Sequence, residues 1–380
     1  MRFISANRIF NGIEFLKKDS VLILNEQGVL TEIINSNEVD SAKIEMFDGI
    51  ITPGFINTHC HLELSYLKDV IPQQTGLVEF AKSMITKRSG FSENEMHTAI
   101  EKADAFMKQN GIVAVGDISN TSISFKTKQK SKIHYHTFIE LIGLNPDKKE
   151  TILNLGITLL NDLRKLGLSG SLAAHAPYST SVQLIEAITN YNLKNNSPFS
   201  IHNQESEEEN KFLQGKTSDF YKLFAFLKID INWFKPNYRS SLNVYSNLLT
   251  NKKNILAHNT FTYKEDYSSA KNAFWCLCPS ANLYIENTLP NYNLLLENTQ
   301  QICFGTDSLA SNSDLDILKE ASVFYSKTNN LELTLKGLAF TGANALNIED
   351  SFGSLIKGKN AGLNLIDEKE GELIFKKVII

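Results

Sequence analysis

Apolar positions along this chain come in two textures. At the start, MRFISANRIF and SVLILNEQGVLTEII read as short strands, broken at Asn11-Gly12 and Gln27-Gly28, pairs suited to tight turns. The same texture returns in GSLIKGKNAGLNLID and ELIFKKVII, on either side of Gly371. Neither end carries enough apolar surface to stand alone. The pattern therefore predicts that residues 1–52 and 350–380 pair as one small β-sandwich domain, built from segments far apart in sequence.

Between the ends, apolar β-branched runs alternate with helical stretches, the mark of a parallel α/β fold. The strand candidates are FINTHCH (55–61), IVAVGDIS (112–119), IHYHTFIEL (133–141), SGSLAAHA (169–176), PFSIHNQE (198–205), NILAHN (254–259), FWCLCP (274–279) and QICFGTD (301–307). NEMHTAIEKADAFMKQNG, with apolar residues at helical spacing and a stop at Gly111, is one of the intervening helices. Eight such units predict a closed (β/α)₈ TIM barrel over residues 53–349. No GxGxxG fingerprint argues for an open dinucleotide-binding sheet. The connection 206–253 is long and carries Phe220, Tyr221, Phe224, Phe226, Trp233, Phe234 and Tyr238. Such a stretch is either a lid or pocket wall or a surface subdomain with its own core.

Composition narrows the partners. The chain has 380 residues, 42% hydrophobic and 21% charged, an ordinary globular profile. Formal net charge is −4 and no basic stripe stands out, which argues against nucleic acid and anionic membrane and for a small-molecule substrate. The amino terminus has no continuous apolar core of a signal peptide, and no run approaches the ~18 apolar residues of a membrane span. Four scattered cysteines, Cys60, Cys276, Cys278 and Cys303, suit a reducing cytoplasm. Cys276 and Cys278 lie on an apolar run and read more simply as small buried residues than as a metal pair.

The chemistry starts at ITPGFINTHCHLEL, residues 51–64. Side chains at i and i+2 of a strand share a face, so His59 and His61 point the same way, half of a transition-metal site. Barrel enzymes keep reactive groups at the carboxyl ends of strands. Those ends here read His59 and His61, Asp117, Glu140, His175, His202 with Glu205, His258, and Asp307, and they hold five of the eight histidines. Neutral imidazoles plus a carboxylate, with a position left for water, form the ligand set of a catalytic zinc or iron ion. A second His-x-His pair, His134 and His136, opens its strand and falls at the barrel bottom, where it reads as structural. Asp117 and Glu140 are candidates to brace a ligand histidine. Glu205 sits in a run with Glu207, Glu208 and Glu209, and a charge run is usually a solvated helix face. Glu205 stands apart because it follows His202 by three residues at a strand end.

These motifs together resemble the amidohydrolase superfamily, in its single-metal deaminase and chlorohydrolase branch, over essentially the whole chain. PGFINTHCHLE is similar to the family's first-strand motif, AAHAPYSTS to its fourth, SIHNQESEEE to its His-x-x-Glu motif and LAHNTF to its sixth-strand histidine. CPSANLYIENTLP and FGTDSLASN are similar to its seventh and eighth strand ends. The resemblance implies one divalent metal ion, zinc or else iron, held by His59, His61, His202 and Asp307. It implies acid-base roles for Glu205, His258 and Asp307, and substrate contact for His175. No lysine stands near the end of the fourth strand, where dinuclear relatives place a bridging one, which supports a single metal. Ser308 and Gly362 replace the family's more usual Gly and Asp without touching the ligand set.

The implied activity is hydrolytic deamination of an aromatic amine, a nucleobase or adenosine-like nucleoside, by metal-activated hydroxide with release of ammonia. Amide or chloro-substituent hydrolysis by the same site is the alternative, and a non-catalytic barrel scaffold a remote one. Lys87, Arg88 and Arg239 are candidates to hold a substrate carboxylate, plain surface charge being the other reading. A homodimer is expected only because the family often forms one.

Overall fold

Gly54 is the hinge of the architecture: it separates a sheet made by the chain ends from the parallel strands that carry the candidate site residues. The computed structural model describes residues 1–380. Strands β1 (Arg2–Ile9), β2 (Ser20–Leu24), β3 (Leu30–Asn35) and β4 (Ile44–Pro53) precede that glycine. Strands β5 (Phe55–Cys60), β6 (Ile112–Ser119), β7 (His134–Leu141), β8 (Ser169–Ala174), β9 (Phe199–Asn203), β10 (Asn254–His258), β11 (Phe274–Leu277) and β12 (Ile302–Phe304) follow it. Two more, β13 (Leu363–Lys369) and β14 (Glu372–Val378), close the chain.

The chain ends do pair, but as one six-stranded sheet in the order β14-β13-β4-β1-β2-β3, where the pattern predicts the two layers of a sandwich. The reason is β4, which takes β1 in parallel on one edge and β13 in antiparallel on the other, so a single ladder joins both termini. Its buried side, with Ile4, Leu22, Leu30, Ile51, Leu363 and Leu365, is a small core of its own.

All eight internal strands form where the pattern places them, in two parallel four-stranded sheets, β5-β6-β7-β8 and β9-β10-β11-β12. Helices cross between them, among them Glu93–Gln109 before β6, Lys149–Lys165 before β8 and Val182–Lys194 before β9. The Glu93–Gln109 helix starts on a capping box from Ser92 to Glu95 and ends just before Gly111, whose φ of +77° suits a residue without a Cβ. The two sheets meet along both edges. The Asp307 amide donates to the His59 carbonyl at 3.0 Å, and the His202 amide to the His175 carbonyl at 2.9 Å. Gly305 permits the first approach, since a Cβ there would lie 2.6 Å from the His59 Cβ.

The strands end earlier than the pattern predicts, because the backbone turns sharply where the candidate site residues begin. Gln204, His258, Asn259 and Asp307 have φ of +49°, +74°, +61° and +55°. Non-glycine residues rarely adopt that region, and when they do the strain gathers at functional sites. Every residue from Phe55 to Leu62 is buried, as expected of strands covered on both faces.

Candidate active site

His59 is the last but one residue of β5 and His61 follows the strand, so both rings face the axis between the two sheets. The adjoining strand ends deliver His202 from β9, His258 from β10 and Asp307 after β12. Donor atoms of His59, His202, His258 and Asp307 all lie within 4.8 Å of one another. His61 Nε2 is 3.2 Å from His202 Nε2 and 3.4 Å from Asp307 Oδ1. The sequence-predicted ligands and His258 are therefore gathered at one point.

Hydrogen bonds around this cluster set which nitrogens are free. His202 Nδ1 donates to the His175 carbonyl at 2.8 Å, which leaves the Nε2 lone pair facing the cluster. His258 Nδ1 lies 2.9 Å from Asn282 Oδ1, so its Nε2 also faces inward. That Nε2 and both ring nitrogens of His59 are buried without a partner. Buried polar atoms seldom go unpaired without cause, and a divalent cation among these donors would satisfy them. Burial pushes His61 down to about 3 and His258 to about 4, so both rings are neutral and able to ligate. Burial alone would raise Asp307. His59, 3.7 Å away, and the rings of His61 and His258 outweigh it and hold the carboxyl below its usual range. Ser311 Oγ donates to its other oxygen at 2.5 Å. The residues fit a divalent metal.

Glu205 faces this cluster with Oε1 3.9 Å from His258 Nε2. Burial first, then the charges of Asp307 and Glu209, push its carboxyl well above the usual range, which favours the protonated form. His175 lies beside them, Nδ1 2.6 Å from Ser179 Oγ, and burial lowers it to about 4.

These groups form the floor of a cavity of about 490 Å³. Its walls are apolar: Leu77, Phe80 and Met84 from the helix Leu77–Lys87, and Leu223 and Phe224 from the helix Phe220–Phe226. The long connection 206–253 is thus a pocket wall. Phe212 also stacks on Phe224 and on Phe234, and these rings join the main core rather than forming one of their own. A larger cavity of about 1320 Å³ lies against the terminal sheet, but it has none of the histidines.

Other candidates fall elsewhere. Arg88 lines the cavity, whereas Lys87 donates to the Val70 carbonyl at 2.7 Å and Arg239 pairs with Asp266 at 2.9 Å. Glu140 Oε1 is 3.5 Å from His202 Nδ1, behind a cluster histidine, and its other oxygen accepts from Asn120 at 3.0 Å. Asp117 instead pairs with the buried Lys128 at 2.5 Å and accepts the Leu62 amide at 2.7 Å, bracing the backbone just after His61. His136 bonds Ser169 and Ser171 at the opening of β7, a structural place. Cys276 and Cys278 are free and buried. No helix is long and apolar enough to cross a membrane.

Sequence reasoning passed over Asn282, Ser311, Lys148 at the cavity rim, and Glu209. The last had a signal: Ser206-x-x-Glu209 is a capping-box spacing before a helix.

Comparison with known proteins agrees with this geometry. The chain is 26% identical over 345 residues to an adenosine deaminase of Helicobacter pylori, covering 87% of this chain and 83% of that one. It is 28% identical over 387 residues to a 5'-deoxyadenosine deaminase of Methanococcus vannielii, covering 95% and 85%. Among solved structures, the aminofutalosine deaminase of Helicobacter pylori in complex with methylthio-coformycin superposes with a TM-score of 0.83. That match has 24% identity and covers 100% of this chain and 98% of that one. A family model, the amidohydrolase family, matches residues 50–378, and on that match the chain belongs to the amidohydrolase family.

Proposed function

We propose that this protein is a metal-dependent deaminase of adenosine-like nucleosides. The observation that carries the reading is Glu205, a buried carboxyl 3.9 Å from His258 and beside a cluster of histidines and one carboxylate, at the floor of an apolar cavity of nucleoside size. The names of the related deaminases support the substrate class. We assign His59, His61, His202 and Asp307 as ligands of one divalent ion, zinc by the donor set, with iron as the alternative. Two parallel sheets meeting along both edges support a closed eight-stranded barrel over 53–349, with 1–52 and 350–380 as the smaller domain.

When bound, the cation supplies Lewis acidity and makes hydroxide available near neutral pH. The chain's own residues move the protons. Asp307, its carboxylate fixed by Ser311, takes the proton released by the attacking water. Glu205 donates its proton to the ring nitrogen next to the carbon under attack, so negative charge does not build there. His258, anchored through Nδ1 by Asn282, keeps Nε2 aimed at the attacking oxygen. The proton held by Asp307 passes to the amine, which leaves as ammonia as the carbon–nitrogen bond breaks, and the hydroxyl proton of the adduct returns to Glu205 as the carbonyl forms. His175 faces the same cavity and is assigned to contact the nucleoside.

Ammonia release by the zinc-loaded protein, measured over adenosine, 5'-deoxyadenosine, guanine and cytosine, tests the assignment. Activity is expected with the adenine nucleosides. Glu205→Gln is expected to lower kcat by about 10² to 10⁴ with zinc content unchanged, the usual worth of a general acid-base group. Parental kcat in that variant, or no ammonia from any adenine nucleoside, overturns the proposal.

A further inference from the structure

Glu209 is a buried carboxylate with no lysine or arginine paired to it. It is fully buried and is the third residue, in the first turn, of the helix Glu207–Leu213, whose amino end is capped by Ser206. In an ordinary capping box the glutamate three residues into the helix reaches back to the amide of the capping residue. Here it reaches further upstream. Its Oε1 accepts the Gln204 amide at 3.1 Å, and its Oε2 accepts the Glu205 amide at 3.1 Å. Ser241 Oγ, from the far part of the long connection, donates to Oε1 and fixes the carboxylate from behind. The backbone it holds is strained: Gln204 has φ of +49°. Strained turns persist only where their surroundings over-determine them.

We propose that Glu209 is a positioning residue for Glu205, holding the proton-donor carboxyl in reach of His258 by accepting the Glu205 amide. The inference rests on the reading of Glu205 as the proton-transfer group. Burying an unpaired carboxylate costs stability, and an apolar residue would fill the same space more favourably. A capping role alone would need neither of the two upstream amides. All three of Glu209's partners are donors, so only an acceptor with two free oxygens serves them. Ser241 then ties this support to the connection that also walls the cavity, so the wall and the proton donor are built on one frame.

Glu209→Gln is nearly isosteric and selective. The amide oxygen can still accept from Gln204 and Ser241, while the new NH2 meets the Glu205 N–H donor to donor. A loss of alignment by a fraction of an ångström is enough to slow proton transfer. The expected result, with adenosine and zinc-loaded protein, is kcat lowered about 10- to 100-fold, KM within about threefold of the parent, and zinc content unchanged. In a Glu205→Gln background the same change is expected to add no further loss, because Glu209 acts through Glu205. Glu207→Gln, an exposed neighbour on the same helix, controls for the charge removed and is expected to keep parental kcat. If Glu209→Gln does not fold, Glu209→Asp replaces it throughout: one methylene shorter, it keeps the charge and loses the reach to both amides, and the same results are expected. Parental kcat in the Glu209 variant overturns the proposal, as does an equal loss in the Glu205→Gln background or a loss tracking zinc content. A parent inactive on every adenine nucleoside sinks the deaminase reading instead, a separate outcome.

Discussion

Lys128→Met is the perturbation whose cost the structure allows to be worked out most fully. Lys128 and Asp117 have side chains with no exposed surface, and their charged atoms are 2.5 Å apart. The three ammonium protons are all used, on Asp117, on Ser119 Oγ at 2.9 Å and on Thr137 Oγ1 at 3.1 Å. Methionine fills much the same volume but leaves the Asp117 carboxylate in the interior, with the Leu62 amide at 2.7 Å and Ser119 Oγ at 3.2 Å as its remaining partners. Removing one member of such a buried pair costs about 3–5 kcal/mol. An unfolding entropy of about 2.1 cal/mol/K per residue gives ~0.8 kcal/mol/K for 380 residues. The midpoint is therefore expected to fall by about 4–6 °C. Asp117→Asn with Lys128→Met removes both charges, keeps an oxygen for the Leu62 amide, and is expected to recover at least half of the loss. The assay is thermal unfolding by circular dichroism after chelator treatment, since a bound metal would add its own stabilisation. A single variant melting within about 1 °C of the parent, or a double variant melting no higher than the single, refutes the reasoning.

Acid should unfold the metal-free protein partly through His136. Burial lowers its pKa from 6.5 to about 3, so the folded state keeps the ring neutral while the unfolded chain takes up a proton below pH 6.5. Stability is then lost as pH falls from 6.5 toward 3, at up to about 1.4 kcal/mol per pH unit for this one group. Urea titrations between pH 6.5 and 4.5 are expected to show a slope shallower by about that amount in His136→Gln, and equal slopes would count against it. In the cavity wall, Leu223→Ala removes three buried carbons and is expected to raise KM for an adenine nucleoside by about 5- to 30-fold, with kcat nearly unchanged. Steady-state kinetics with an unaltered KM would remove the helix Phe220–Phe226 from the substrate-contacting wall.

Much of this protein is determined by its sequence alone, for a local reason. Strands covered on both faces have to be apolar runs, so β5 to β12 appear as eight separated segments, and parity along a strand places His59 and His61 on one side. Their ends carry His202, Glu205, His258 and Asp307 within a residue or two of the last ladder bond, so the residues that gather at the cavity floor are legible without any knowledge of the packing. Tertiary structure alone decided what depends on approach between distant segments. That β4 would take β1 on one edge and β13 on the other, making one sheet of six, rests on pairings between distant segments, the second over some three hundred residues, that no local pattern encodes. The same holds for the pairing of Asp117 with Lys128 rather than with a histidine, and for the fate of Arg239 and Lys87. A charged side chain reads alike in sequence whether it meets solvent, substrate or a buried partner. Glu207 and Glu209 make the point most sharply: two residues apart in one acidic run, one is exposed and the other is sealed beneath Glu205, because only the helix turn and Ser241 decide which of them faces the interior.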